Sequence, residues 1–228
     1  MRLNKYLAHC GVASRRKCDQ LIENGEISIN GKVATNYSYQ VSDNDIVAFG
    51  NRAVSLDDSQ YSLYLLNKPK GYICSNAKDN KKRAVDLIKS NSRLYTVGRL
   101  DVNTSGAILV TNDGDLANKL THPQYSKEKK YIAKTILDIP KEKYLQVKKG
   151  ISIGRKQRAK GTIKRLKKEN KFIYWEVTLS EGKNREIRRV FEKLDSKVID
   201  LHRYEFAGLD VRDIKPGHYK KINPDIFK

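Results

Sequence analysis

A polar, turn-rich segment at residues 51–60 divides the chain into a short first part and a long second part. The segment reads Asn-Arg-Ala-Val-Ser-Leu-Asp-Asp-Ser-Gln, a composition that is typical of linkers. It therefore predicts a small domain of residues 1–50, a linker of residues 51–60 and a larger domain of residues 61–228. A chain of 228 residues has room for one small and one medium domain.

The first 50 residues have the pattern of two helices followed by a small sheet. Apolar spacing predicts one helix over residues 2–10 and a second helix that is capped by Ser14 and ends at Gly25. Asn30-Gly31 lies between alternating apolar residues, which is a strong hairpin signal because both turn positions need positive φ. A further strand is expected over residues 45–49.

The second part of the chain mixes several strands with fewer helices. A helix that begins near Asn184 carries an apolar stripe at positions i, i+3, i+4 and i+7. The stripe consists of Ile187, Val190, Phe191 and Leu194. Apolar or alternating runs predict strands over residues 63–66, 107–111, 131–137 and 172–179. This mixture predicts an α+β domain with an antiparallel or mixed sheet.

The charge of the chain points to a polyanionic partner. The net charge is +20, from 46 Lys and Arg against 26 Asp and Glu. Residues 127–189 alone hold 21 basic and 7 acidic side chains, a net charge of +14. A protein this basic attracts phosphate backbones. Solubility alone is a weaker explanation, because a balanced mixture of charges would serve it without nonspecific binding to nucleic acid.

Other parts of the composition limit the class of protein. Cys10, Cys18 and Cys74 are odd in number and form no CxxC pair, which suits a reducing compartment and predicts a cytoplasmic protein. The four histidines are scattered without metal-ligand spacing, so we expect no metal site. We also expect no membrane contact, because no apolar run approaches the roughly 20 residues of a membrane span. The N-terminus lacks the apolar segment of a secretory signal.

Residues 98–106 place a single acidic side chain in a loop of glycine, arginine and small polar groups. The loop reads Gly-Arg-Leu-Asp-Val-Asn-Thr-Ser-Gly. Taken alone, Asp101 has the pattern of a turn or a helix cap, a frequent role for aspartate. In so basic a chain, however, a lone carboxylate at a polyanion site is costly unless it takes part in chemistry. An ionised carboxylate there could act as a nucleophile or as a base.

A second candidate segment, residues 181–189, leads into the predicted helix. Arg188 follows Ile187 by about 100° around the helix, at the edge of the buried stripe. Its aliphatic stem could pass the margin of the core and present the guanidinium in a cleft. The alternative, which is stronger for Arg185 and Arg189, is a solvated basic face that binds phosphates.

These motifs resemble those of the pseudouridine synthases that modify ribosomal RNA. The resemblance is carried by residues 98–101 and by the longer run 98–123, with support from residues 66–72 and 181–189. Within the family, the run is most similar to type B, which acts on large-subunit RNA, in the branch that also includes large-subunit types E and F and small-subunit type A. Residues 1–50 resemble an S4-like RNA-binding domain. The resemblance implies a small N-terminal S4-like domain and a larger α+β catalytic domain with a mixed or antiparallel sheet.

The resemblance also implies roles for individual residues. Asp101 would be the catalytic aspartate, Tyr131 would stack near the base, and Arg188 would pair with the carboxylate, with Arg185 as the alternative partner. From its own surroundings, Tyr131 is either an ordinary strand aromatic or a stacking platform for an unpaired base. The substrate pocket would include Arg99, Leu201 and Arg185. RNA contacts are predicted at Arg2, Lys5, Ser14, Arg15, Arg16, Lys68, Lys129, Lys130, Lys183 and Arg189.

The implied reaction detaches uracil from the ribose C1′, rotates it and rejoins it through C5, with no metal and no cofactor. Whether Asp101 attacks C1′, attacks C6 or removes a sugar proton stays open. The expected partner is ribosomal RNA, most of all large-subunit RNA, and we expect a monomer. The alternatives are a synthase for small-subunit RNA, a non-catalytic RNA-binding or ribosome-assembly protein, and a nucleic-acid hydrolase. A hydrolase would normally need paired carboxylates or a metal.

Overall fold

The computed structural model describes residues 1–56, 61–75 and 80–227. The described residues fall into two compact units. The first unit is formed by the described residues within 1–62, 90–93 and 112–114, and the second by those within 63–89, 94–111 and 115–228. Residues 57–60 of the predicted linker lie outside the described residues.

The first unit packs two helices and a small antiparallel sheet around one apolar core. Its elements are α1 (Leu3–His9), α2 (Arg15–Glu23), β1 (Ile27–Ile29), β2 (Lys32–Val33), β3 (Val47–Phe49) and β4 (Arg52–Val54). The strand order is β2-β1-β3-β4. The Ser14 side chain accepts a hydrogen bond of 3.3 Å from the Lys17 backbone N–H, which confirms the predicted cap. Asn30 and Gly31 have φ of 51° and 78°, as the predicted hairpin requires.

Strand β4 corrects the sequence prediction, which places its residues in the linker. Arg52–Val54 pair antiparallel with β3 across a two-residue turn, Gly50-Asn51. Gly50 has φ of 55° at the first turn position, where type II′ hairpins favour glycine. Only the third residue, Val54, packs against the core of this unit, and the other two are exposed. With a single residue in the core, the strand carries too little apolar pattern to distinguish it from a linker.

The second unit is built around a mixed sheet. Its strands are β5 (Leu63–Lys68), β6 (Tyr95–Val97), β7 (Ser105–Thr111), β8 (Lys129–Thr135), β9 (Ile151–Ser152), β10 (Arg158–Ala159), β11 (Gly161–Glu169), β12 (Phe172–Leu179), β13 (Asp200–Phe206), β14 (Leu209–Asp210) and β15 (Tyr219–Ile222). The main order is β11-β12-β8-β13-β7-β5-β15, with β6 on β7 and β14 on β13. The β13–β7 pair is parallel and the others are antiparallel. β9 and β10 form a separate ribbon.

The helices of the second unit are α3 (Gly114–Thr121), α4 (Lys141–Leu145) and α5 (Glu186–Lys193). The predicted stripe of α5 is confirmed, because its four apolar residues are all buried. Phe191 of this stripe packs against Trp175 of β12, with ring centroids 6.0 Å apart. Trp175 is fully buried and donates a hydrogen bond of 2.9 Å to the Thr135 hydroxyl. In the part of the chain that the structure describes, no helix has the length and apolar composition needed to cross a membrane.

Strand β7 approaches its parallel neighbour β13 closely at Gly106. In the pairing of these two strands, Gly106 lies opposite Arg203. Gly106 has φ of 110°, and a Cβ atom built on it would lie 2.0 Å from the Arg203 carbonyl oxygen. No larger side chain fits this position without a shift of backbone. The loop that contains Asp101 leads directly into this strand, so the close approach also brings that loop beside β13.

Gly106→Ala should lower the free energy of unfolding by roughly 3 kcal/mol, because it adds a backbone clash to an unfavourable φ. The matched control is Gly208→Ala, which has φ of 81° but no atom within 4 Å of its added Cβ. The control should cost only about 1 kcal/mol. Urea unfolding followed by the fluorescence of the single tryptophan measures both changes. Equal losses for the two variants would contradict the close-packing argument.

Candidate active site

A cavity of about 450 Å³ in the second unit brings the predicted site residues together. Its walls come from the loop after β6, the end of α3, β8, the loop before α5, and α5 and β13 themselves. All six residues predicted to be catalytic or pocket-lining contribute to it. These are Asp101, Tyr131, Arg188, Arg99, Arg185 and Leu201. Residues that are far apart in the sequence therefore surround one concave site.

The loop that carries Asp101 is held on both sides by backbone hydrogen bonds. The Thr104 N–H donates to the Asp101 carbonyl oxygen at 3.0 Å, which closes the turn after the aspartate. The Leu100 N–H donates to the Cys74 sulfur at 3.4 Å. The Gly71 N–H donates to the Val102 carbonyl oxygen at 2.8 Å. These contacts fix the backbone while the Asp101 side chain stays 37% exposed to the cavity.

Three carboxylates line the cavity within the described residues, and two of them are bound by one lysine. Glu181 forms an ion pair with Lys183, and Glu186 accepts a hydrogen bond of 2.8 Å from the Lys183 backbone N–H. The third is Asp101, whose Oδ2 lies 3.9 Å from Arg185 Nη1. This ion pair is long, and the Arg185 side chain is 51% exposed, so the pair is weak. Asp101 is therefore the carboxylate best placed to react with a molecule in the cavity.

The structure separates the two candidate partners of Asp101. Arg185, the alternative, is the arginine at ion-pair distance. Arg188, the predicted partner, instead donates to the Val198 carbonyl at 2.8 Å and to the Asn103 carbonyl at 3.4 Å. Burial lowers the pKa of Arg188, and the neighbouring Arg185 lowers it further, whereas Asp101 acts in the opposite direction. Arg188 is thus a desolvated cation that holds the loop two residues after Asp101.

The position of Arg185 follows from the entry into α5. The sequence predicts a helix that begins near Asn184, but α5 begins at Glu186. Arg185 has the left-handed conformation, with φ of 50°, so it cannot continue a regular helix towards Asn184. The Glu186 carboxylate accepts from the Lys183 N–H and stabilises this first turn. The turn directs Arg185 to Asp101.

Tyr131 and Leu201 lie on neighbouring strands and are almost fully buried in the cavity wall. Arg203 shares this wall and was not predicted from the sequence. It is 3% exposed, and its Nε donates to the Ala107 carbonyl at 2.7 Å. Its guanidinium carbon lies 4.7 Å from the ring centroid of Phe206 and 5.9 Å from that of Tyr131. Period-2 alternation along β13 places Arg203 on the same face as Leu201, and this was the available sequence signal.

Lys129 is the cavity cation whose pKa shifts furthest. Its ammonium group donates to the Lys127 carbonyl at 2.7 Å and to the Ser180 carbonyl at 3.1 Å. Burial, and to a smaller extent the charge of Arg203, lowers the pKa of Lys129 to about 8. The site therefore carries a cation that can titrate just above neutral pH.

The stability of the protein should depend on pH through Lys129. Below about pH 8, the lysine is charged in both the folded and the unfolded chain, so the full cost of burying the charge applies. Between about pH 8 and 10.5, only the unfolded chain still binds the proton, so stability rises with pH. Relative to Lys129→Met, wild type should therefore become more stable over this range. Urea unfolding at several pH values measures the difference; Lys171→Met, at an exposed position, should show no such trend.

Lys68 corrects the predicted list of RNA contacts. Its side chain is 0% exposed, and Nζ donates to the Pro69 carbonyl at 3.0 Å and to the Tyr72 carbonyl at 2.8 Å. Burial lowers the pKa of Lys68. The carbonyls of this turn need a donor inside the protein, and Lys68 supplies it. The side chain therefore has no surface open to RNA.

Arg189 is also committed to protein contacts. Its guanidinium donates to the carbonyls of Ile153 and Gly154 and to the Gln157 side chain, with distances of 2.6 to 2.9 Å. These contacts fix the ribbon of β9 and β10 against α5. These contacts give Arg189 a structural role, and its phosphate contact stays a prediction.

The other predicted RNA contacts differ in how open they are. On the first unit, Arg2, Ser14, Arg15 and Arg16 are exposed, although Ser14 caps α2, and Lys5 is half-buried. On the second unit, Lys129 and Lys183 line the cavity, and Lys130 forms ion pairs with Glu205 and Glu128. No group of three or more histidine, cysteine or acidic side chains is arranged to hold a metal ion within residues 1–56, 61–75 and 80–227.

The chain belongs to the RNA pseudouridylate synthase family, whose model matches residues 62–193. The S4 domain model matches residues 1–47. Over 232 aligned residues, the chain is 40% identical to the ribosomal large subunit pseudouridine synthase B of Bacillus subtilis (strain 168), covering 100% of this chain and 94% of that one. The predicted enzyme class and fold class are confirmed.

Two further likenesses cover nearly the whole chain. The dual-specificity RNA pseudouridine synthase RluF of Escherichia coli (strain K12) is 31% identical over 229 residues, covering 99% of this chain and 76% of that one. A crystal structure of a pseudouridylate synthase matches with a TM-score of 0.69 and 26% identity, covering 99% of this chain and 97% of that one. The likeness therefore extends over both parts of the chain.

Proposed function

We propose that this enzyme converts one uridine of large-subunit ribosomal RNA to pseudouridine, with Asp101 as its catalytic carboxylate. The observation that carries the proposal is the Asp101 side chain, which is partly exposed in a cavity with cationic walls. The other two carboxylates of that cavity are held by Lys183. The choice of large-subunit RNA rests on the similarity to the Bacillus subtilis enzyme, whose name states that substrate.

The reaction is an isomerisation in which all atoms balance. The bond between the ribose C1′ and the uracil N1 breaks, the base rotates, and a bond forms between C1′ and C5. C5 loses a proton to solvent, and N1 gains one. Asp101 acts as the nucleophile or the base in this sequence. Tyr131 supports the base, and Arg185 and Arg188 supply positive charge beside the carboxylate.

The cationic wall helps to bring the target base into the cavity. A base that reacts here must leave its stack, which costs a few kcal/mol. Phosphate contacts offset that cost. The cavity is lined by Arg99, Lys127, Lys129, Lys183, Arg185, Arg188 and Arg203. Their number exceeds that of the cavity carboxylates, so the net charge of the wall suits a nucleotide.

The proposal assigns a task to each part of the chain. Residues 1–50 bind RNA and residues 61–228 catalyse the reaction, which agrees with the separate matches to residues 1–47 and 62–193. A monomer suffices, because one chain supplies the entire described wall of the cavity. A cytoplasmic location is supported by the cysteines, all three of which are free.

Chemical mapping of pseudouridine in ribosomal RNA, from cells with and without this protein, tests the proposal. One uridine of the large-subunit RNA should stay unmodified in the deletion strain. Wild-type protein should restore it, and Asp101→Asn protein should not. Loss of a small-subunit pseudouridine would reassign the target. An unchanged pattern in both RNAs would contradict the proposal.

A further inference from the structure

A second concavity lies directly beside the catalytic cavity. It has a volume of about 590 Å³ and shares Arg185 and Arg188 with the cavity. Its remaining wall consists of Lys70, Asn103, Ile136, Lys197, Val198 and Ile199. We call this concavity the side groove. None of these six residues has a role in the proposed reaction, so the groove is not explained by the chemistry at Asp101.

The rim of the side groove is positively charged. Lys70 is half exposed and forms an ion pair with Asp200, at 2.7 Å between Nζ and Oδ1. Lys197 and Arg185 are exposed, and Arg188 lies between the groove and the cavity. Four cations therefore surround one concave surface. This arrangement favours a phosphate group, which could bind to exposed cations on either side.

One side of the groove is apolar instead of charged. Ile136 and Ile199 are 51% and 47% exposed, although large aliphatic side chains are usually buried. Val198, the third aliphatic residue of the groove wall, is buried. The Ile199 N–H donates to the Lys134 carbonyl at 2.8 Å, which fixes this surface against β8. An aliphatic surface beside cations suits a ligand with a flat apolar face and a phosphate.

We propose that the side groove binds one unpaired nucleotide that neighbours the target uridine in the same RNA strand. Its base lies on Ile136 and Ile199, and its phosphate lies near Lys70 and Lys197. The assignment is based on the wall that the groove and the cavity share, Arg185 and Arg188. Because of this shared wall, an RNA strand that leaves the cavity passes directly into the groove. The inference rests on the proposed function and extends it to substrate recognition.

The test uses short RNA hairpins that contain the uridine located by chemical mapping. In separate RNAs, the base on the 5′ or the 3′ side of that uridine is replaced by an abasic site. Loss of one of these two bases should lower kcat/KM of the wild-type enzyme roughly tenfold, because the base no longer covers the apolar surface of Ile136 and Ile199. Loss of the other base should have little effect.

The protein side of the test is the double variant Ile136→Ser, Ile199→Ser. On the intact RNA it should lose roughly the same tenfold, and on the sensitive abasic RNA it should lose nothing further, because both changes remove one contact. The matched control is Leu137→Ser, an exposed aliphatic position outside the groove wall, which should behave as wild type on both RNAs.

A charge variant tests the phosphate contact separately. Lys197→Gln should reduce the slope of log affinity against log salt by about one, whereas Lys193→Gln, an exposed lysine outside the groove, should reduce it less. Additive losses in the double variant, or an unchanged salt slope in Lys197→Gln, would overturn the groove while leaving the function intact. A wild-type enzyme that modifies no uridine would overturn the proposed function and the groove together.

Discussion

Asp101→Asn should abolish pseudouridine formation, with a loss of roughly 10⁴-fold or more in kcat. Asparagine has nearly the same shape as aspartate, but its neutral amide is a poor nucleophile and a poor base. The backbone contact that closes this turn, from Thr104 to the Asp101 carbonyl, does not involve the side chain and is retained. The lost ion pair with Arg185 is long and exposed, so stability should change by less than about 0.5 kcal/mol.

The RNA affinity of Asp101→Asn shows whether the variant has lost the chemical step alone or also the binding of RNA. The affinity of Asp101→Asn should stay within a few fold of wild type, because the cationic wall is unchanged. Single-turnover assays and binding titrations on the same RNA measure the two properties. Asp213→Asn, an exposed aspartate outside the cavity wall, is the control and should retain full activity. Normal turnover by Asp101→Asn would remove Asp101 from the mechanism.

Local patterns in the sequence predict much of this fold. The apolar stripe from Ile187 to Leu194 depends on helix periodicity alone, and the Asn30-Gly31 hairpin depends on two residues that tolerate positive φ. Both follow from short-range physics, and the structure contains both. Asp101 is different, because its local pattern alone indicates a turn or a helix cap. Its prediction as the catalytic carboxylate depends on the resemblance of residues 98–123 to the family.

The features that the sequence misses depend on distant contacts. β4 has a single apolar residue in contact with the core, so only its pairing with β3 reveals it as a strand. Lysine is usually a surface residue. Lys68 is buried because its ammonium group donates hydrogen bonds to the carbonyls of Pro69 and Tyr72. No local pattern shows where those carbonyls point.

The arginine partner of Asp101 illustrates the same limit within the site. Helix geometry places Arg188 at the margin of the buried stripe, and the structure confirms this position. Which arginine reaches Asp101 depends on the left-handed conformation of Arg185 and on the carbonyl of Val198, which holds Arg188. Both are set by tertiary packing.

Arg188→Ala should lower kcat by roughly 10²–10³-fold, a loss typical of removing one charged donor from an active site. The change removes the hydrogen bonds to the Val198 and Asn103 carbonyls and a desolvated positive charge beside Asp101. Arg185→Ala should cost no more than about tenfold, because its pair with Asp101 is solvent-exposed and contributes at most about 1 kcal/mol. Single-turnover rates show which of the two variants loses more activity. Urea unfolding verifies that both variants are folded.

The variants Arg185→Lys and Arg188→Lys show whether Arg188 acts by its charge alone or also by the shape of its guanidinium group. Lysine keeps the positive charge, but it lacks the planar fork that reaches two carbonyl oxygens at once. Arg185→Lys should therefore restore nearly full activity, whereas Arg188→Lys should recover only part of what Arg188→Ala loses. If Arg185→Ala were the more damaged of the two alanine variants, the exposed pair at 3.9 Å would be the functional one. Arg188 would then serve only to anchor the loop, because its remaining contacts are to backbone carbonyls.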